Sequence, residues 1–221
     1  MPVLLLIACL SDATGRLSFE ERGDYFAALD RAAEADLRAE ADALHERRRA
    51  AHEAREPTAY SQFADLLENP EWWAGKPVCV RGHANLIQAY DPGENDVGLD
   101  RVYEAWIVGQ DSDRYPSVVV ARSLPEGVPV GEEMVGGLEA CGVFFKLLTY
   151  KARDGKSRYA PLILAGSIGH AEPERASPAQ WALAAIAAAM GVSVAVRVAR
   201  GLSRKPPRKA GPPPDFGDLG A

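Results

Sequence analysis

Cysteine is scarce in this 221-residue chain: Cys9, Cys79 and Cys141 are the three, and none is paired in a C-x-x-C spacing. A disulfide scaffold and a zinc or redox motif of the usual kind are therefore excluded. Histidine is sparse too, with His45 and His52 seven apart on a polar stretch and His83 and His170 isolated, so no metal-ligand spacing arises. The glycine-rich loop that cradles phosphates is missing, and Ser117 and Ser167 lack a glycine-flanked nucleophile elbow. Asp111-Ser112-Asp113, with Glu104 upstream, gathers carboxylates but has no closing glutamate at calcium-loop spacing. These absences predict no metal, no cofactor and a non-enzymatic protein.

Basic charge is also short overall, at 25 lysines and arginines against 31 carboxylates, and it is unevenly placed. Residues 1–57 hold 8 basic and 12 acidic side chains, residues 58–170 hold 10 and 15, and residues 171–221 hold 7 and 4. An acidic folded region repels phosphate backbones, which makes nucleic acid an unfavoured partner. The basic surplus lies in the tail.

What is present divides the chain into six stretches. Residues 1–17 open with the apolar run Val3 to Leu10, too short to span a bilayer; it reads as a truncated membrane segment, as a lipobox ending at Cys9, or as a locally packed terminus. Ser18-Phe19-Glu20-Glu21 is a capping box, and the alanine-, glutamate- and arginine-rich sequence after it predicts one long charged helix over 18–56. Its thin seam of Tyr25, Phe26, Leu29, Leu37 and Leu44 suits a stalk or coiled-coil arm, or a loosely docked surface helix.

Residues 57–170 read as a small β-domain with a capping helix. Thr58 caps a helix to about Leu67, whose Tyr60, Phe63, Leu66 and Leu67 form an apolar face. Trp72 and Trp73 follow in a turn, where they stack on a ligand or plug the end of a barrel. Five strands are expected, over 77–88, 101–110, 117–121, 137–151 and 159–168, with Asp154-Gly155 turning the last hairpin. Five strands with glycine at likely bends predict a mainly β fold with helical flanks, built on a small OB-like barrel. In such a barrel Cys79 and Cys141 face outward on neighbouring strands, leaving a cross-strand disulfide and two free thiols as alternatives. Lys146, Lys151, Arg153, Lys156 and Arg158 make the domain's basic cluster. With Tyr150, Trp72 and Trp73 they are the candidate ligand-binding residues.

The stretches Tyr60 to Leu67, Tyr103-Glu104-Ala105-Trp106, Leu124-Pro125-Glu126-Gly127, Gly142 to Lys146 and Ala160 to Ala165 resemble those of planctomycete-type envelope proteins. The resemblance implies an OB-like domain tethered to a membrane and carries no activity. A linker over 171–180 then leads to an uncharged segment, Trp181 to Val196, of about 24 Å as a helix. A hydrocarbon core is about 30 Å thick, so a transmembrane helix over 181–199 needs Trp181 and Arg197 to extend it. Ala187, Gly191 and Ala195 share one face of it and suit self-association. The proline-rich tail 200–221 carries the basic residues, which places it in the cytoplasm and the barrel outside. The function expected is a membrane-tethered interaction or scaffold module of the bacterial cell envelope, binding an envelope protein or glycan, with self-association through the helix or the membrane segment. The alternatives are an OB-type binder of nucleic acid or another polyanion, and an envelope hydrolase.

Overall fold

The computed structural model describes Thr14, Gly15, Ser18 and residues 20–152 and 154–171. The apolar N-terminal run, Cys9, Arg153, most of the linker, the expected transmembrane segment and the basic tail lie outside the described residues. Among the described residues no helix is long and apolar enough to cross a membrane.

The described chain is a mixed helix and strand fold. Its elements are β1 (Thr14–Gly15), α1 (Arg22–Glu34), α2 (Arg38–Glu53), α3 (Gln62–Glu68), α4 (Pro70–Trp73), β2 (Pro77–Tyr90), β3 (Val102–Gly109), β4 (Pro116–Ser123), β5 (Val135–Lys151), β6 (Ser157–Ser167) and β7 (Gly169–His170). All five expected strands form. β2 pairs antiparallel with β3 and β5, β3 with β4, β5 with β6, and β4 runs parallel to β6, so the five close into a ring. It is not a regular barrel. Register breaks between Gly82 and Ile87 in β2 and between Phe144 and Lys146 in β5 interrupt the ladders.

Period-two alternation gives the ring an inside and an outside. Val78, Val80, Ala105, Ile107, Val119, Leu138, Ala140, Phe144 and Ile163 fill the interior, and Leu66 of α3 and Trp73 of α4 close it. α3 starts one turn later than expected, because Ser61 rather than Thr58 supplies the cap, accepting from the Ala64 amide at 3.0 Å.

The single helix expected over 18–56 is two helices. Ala35 is extended (φ −101°, ψ 138°), and Asp36 Oδ1 accepts from the Arg38 amide to start α2. No glycine or proline marks the break, which the sheet imposes. α1 lies on the outer face of the ring, where Tyr25, Phe26 and Leu29 pack on Val118, Val120, Leu162 and Leu164. The approach is close at its C-terminal end, since a Cβ on Gly166 of β6 would sit 2.5 Å from Ala33 Cα. The seam expected for a stalk or coiled-coil arm is therefore occupied by the chain's own sheet, and full burial of Leu29 alone stabilises by about 1.5–3 kcal/mol.

A second correction concerns Lys146. Phe144 and Leu147 point into the ring while Phe145 packs with the outer cluster, so the bulge places Phe145 and Lys146 on the same outer face, beneath α1. Lys146 is 3% exposed, and its ammonium donates to Glu21 Oε1 at 2.7 Å. It belongs to the core and is unavailable to a ligand.

Candidate binding surface

Aromatic and basic side chains from four elements meet beside the β5–β6 hairpin. Tyr150 is paired in register with Arg158 across the hairpin. Its ring meets the Trp106 ring of β3 edge to face, with centroids 5.2 Å apart, and Trp106 Nε1 donates to Glu104 at 2.7 Å. On the other side the Arg158 guanidinium sits 5.4 Å from the centroid of Tyr115, and Tyr115 in turn stacks on Phe63 of α3 at 6.4 Å and 12°. A continuous row, Trp106, Tyr150, Arg158, Tyr115 and Phe63, results. Asp154 accepts from Arg158 Nη2 at 2.7 Å and fixes the guanidinium. Exposed Lys156, two residues before Arg158, shares its side of the hairpin, whereas Lys151 and Tyr159 alternate onto the opposite face.

Burial, with Tyr115 and Asp154 near, raises the Tyr150 phenol above its ordinary value against the opposing pull of Arg158. It is a neutral donor at physiological pH. Tyr115 is 38% exposed, which leaves apolar ring area in water beside Arg158.

The expected site residues thus separate into groups. Tyr150, Lys156 and Arg158 share one side of the hairpin; Lys151 points to the opposite face, and Arg153 lies outside the described residues. Trp73 is 1% exposed and plugs the ring, so it binds no ligand. Trp72 is half-exposed but belongs to a separate cluster, with Arg48 4.3 Å and Lys76 4.2 Å from its ring centroid. Sequence reasoning missed Trp106, Tyr115 and Phe63, which come from separate elements and share no spacing. Asp111, weighed above as a cation ligand, accepts instead from the Phe63 amide at 2.9 Å and holds α3.

On another part of the ring, Cys79 and Cys141 are register partners and are joined by a disulfide. Glu139, the next outward residue on β5, accepts from Arg38 Nη1 at 2.7 Å and also from Arg81. The two sulfurs and a Glu139 oxygen lie within 4.8 Å of one another. The set does not suit a metal in this state, because the sulfurs are bonded and the carboxylate is held by two guanidinium groups.

Three carboxylates in these clusters make stability acid-sensitive. Burial acts to raise Glu21, Asp65 and Glu139, but it is outweighed by Lys146 and Ser18 for the first, Arg48 and Tyr60 for the second, and Arg38 and Arg81 for the third, so all three end below their ordinary values. A carboxyl depressed on folding stabilises above its unfolded pKa and loses that contribution as pH falls through the folded value. The urea midpoint should be flat from pH 7 to about 5 and fall steadily below about 4. A midpoint that rose on acidification would contradict these assignments.

No protein family, curated protein or solved structure matches the chain.

Proposed function

We propose that this chain is a non-enzymatic interaction module of the cell envelope whose hairpin surface binds an acidic glycan. The carrying observation is the Cys79–Cys141 disulfide, because such bonds persist in oxidising compartments outside the cytoplasm. Five strands closing into one ring support an OB-like reading of the fold, an architecture that hosts oligosaccharide as well as oligonucleotide binders. In this reading the segment 181–199 tethers the module to a membrane, with the ring outside and the basic tail inside.

Two features favour glycan over nucleic acid. OB-type folds present the outer face of their second and third strands to oligonucleotides. Here Val118 and Val120 of the third ring strand lie on that face under α1 and are 1% and 2% exposed. The second feature is chemical: half-exposed Tyr115 and Tyr150 offer ring surface to the C–H faces of sugars, while Arg158 and Lys156 suit uronate carboxylates.

The test is a titration of the purified chain with an oligogalacturonate, followed by its tryptophan fluorescence. Micromolar binding that weakens about tenfold or more in Tyr150→Ala and in Arg158→Ala is expected, each change removing roughly 1.4 kcal/mol or more. Salt-sensitive binding of a single-stranded DNA of similar length, with none of the oligogalacturonate, would replace this reading with the nucleic-acid one.

A further inference from the structure

We infer that the Cys79–Cys141 bond is an exchange site for a small thiol, which enters from the side of Cys141. Both cysteines are half-buried, so the bond is neither sealed in the core nor freely exposed. The space around its two ends is unequal. Cys141 lines a cavity of about 550 Å³ between the α1–α2 corner and the sheet, whereas Cys79 lines one of about 40 Å³ beneath α3. The larger volume falls in the range of small-molecule sites, and the smaller holds no more than a water or two. Attack on a disulfide needs access to the sulfur, so the open side selects Cys141 as the electrophile.

Charge around the pair acts on the departing side. Arg38 and Arg122 line the large cavity, each held by a carboxylate: Arg38 by Glu139, and Arg122 by Asp30 at 2.6 Å. Asp36 and Glu139 line it as well, so the wall is balanced in charge and access selects the direction of entry; Ser123 and Ser167 add hydroxyls. On the departing side, Arg81 is the next outward residue after Cys79 on β2 and reaches Glu139 across the ladder. Two guanidinium groups against one carboxylate leave a net positive neighbourhood, which stabilises a leaving thiolate.

The chemistry balances with two equivalents of thiol. The first thiolate attacks Cys141 Sγ; the bond to Cys79 breaks, and its electron pair leaves on Cys79 Sγ, which takes a proton from solvent. A second thiolate attacks the sulfur of the first, releasing a small-molecule disulfide, and Cys141 departs and is protonated. Two small thiols are oxidised to one disulfide, and the protein disulfide is reduced to two thiols. The fold survives the change, because the β2–β5 ladder from Pro77 to Ala84 holds the strands together without the bond. A compartment that reoxidises the pair would reset it.

The experiment uses the full oxidised chain with millimolar reduced glutathione, acid quenching and mass mapping of the mixed disulfide. The expected result is reduction in native buffer with the glutathione adduct on Cys141. An adduct confined to Cys79, or no reduction until denaturant is added, overturns the inference. So does reduction by a thioredoxin-sized dithiol but not by glutathione, since that would make the cavity irrelevant. Arg81→Gln should slow the first step about threefold, because the departing Cys79 thiolate loses a neighbouring guanidinium. The adduct position in the unaltered chain decides the matter even if that variant fails to fold.

Discussion

Asp65→Ala should lower the stability of the domain by about 3–5 kcal/mol, a large fraction of what a domain of this size possesses. The carboxylate is 7% exposed and is the meeting point of four donors. Arg48 approaches from α2 with two nitrogens, Nε at 2.8 Å; Tyr60 Oη lies at 2.9 Å, Asn69 Nδ2 at 2.8 Å and Trp73 Nε1 at 3.1 Å. Alanine leaves the indole N–H of a tryptophan that is 1% exposed with no acceptor at that position, and it strands a guanidinium that is 27% exposed in the pair. An unmade buried hydrogen bond costs about 1–3 kcal/mol, and an orphaned charge costs more. Asp65→Asn should recover part of the loss, because one carbonyl oxygen can still accept from Trp73 while Arg48 loses its counter-charge. Urea unfolding of the three proteins measures both differences. If Asp65→Ala cost less than about 1 kcal/mol, the network would be solvated in a way its burial denies.

That cluster also shows what the sequence could and could not disclose. The apolar face of Tyr60, Phe63, Leu66 and Leu67 was readable because helical spacing is local. The role of the carboxylate between them has no local signature, since its partners come from 17 residues upstream and up to eight downstream. Strands were legible for a related local reason: β2 and β3 keep period-two alternation, while β4 and β6, buried on both faces, read as short apolar runs between turns. Bulges defeat that logic. The run Phe144-Phe145-Lys146-Leu147 hides one extra residue, which puts Lys146 beside Phe145 on the outer face, and there α1 covers it. The break at Ala35 left no mark either, because it arises where α1 meets Gly166, a residue more than a hundred positions away. Trp106 and Tyr115 were hidden for the same reason, as a surface assembled from separate elements has no spacing to read.

The buried pair of Glu21 and Lys146 gives the second large effect, and its signature is in how the variants combine. Their side chains are 5% and 4% exposed, and Glu21 also accepts from the Ser18 amide at 2.7 Å, closing the capping box at the start of α1. Removing either charge leaves the other buried with a partner lost, so Lys146→Met and Glu21→Leu should each cost about 3–5 kcal/mol. The double variant fills the same space with apolar atoms and should lie within about 1–2 kcal/mol of the unaltered chain, because the desolvation of both charges disappears together. The pH dependence of Lys146→Met supplies an independent check. Burial already acts to raise the Glu21 carboxyl, and Lys146 is the chief influence holding it down. Without the ammonium the folded pKa should rise above the unfolded one, so protonation favours the folded state and the contribution of this site increases as pH falls. Between pH 7 and about 5 the variant should therefore gain stability while the unaltered chain stays flat. Two equally damaging single changes whose costs simply add, with no such gain on acidification, would show that the two groups are solvated independently and that α1 is not held to β5 by their charge.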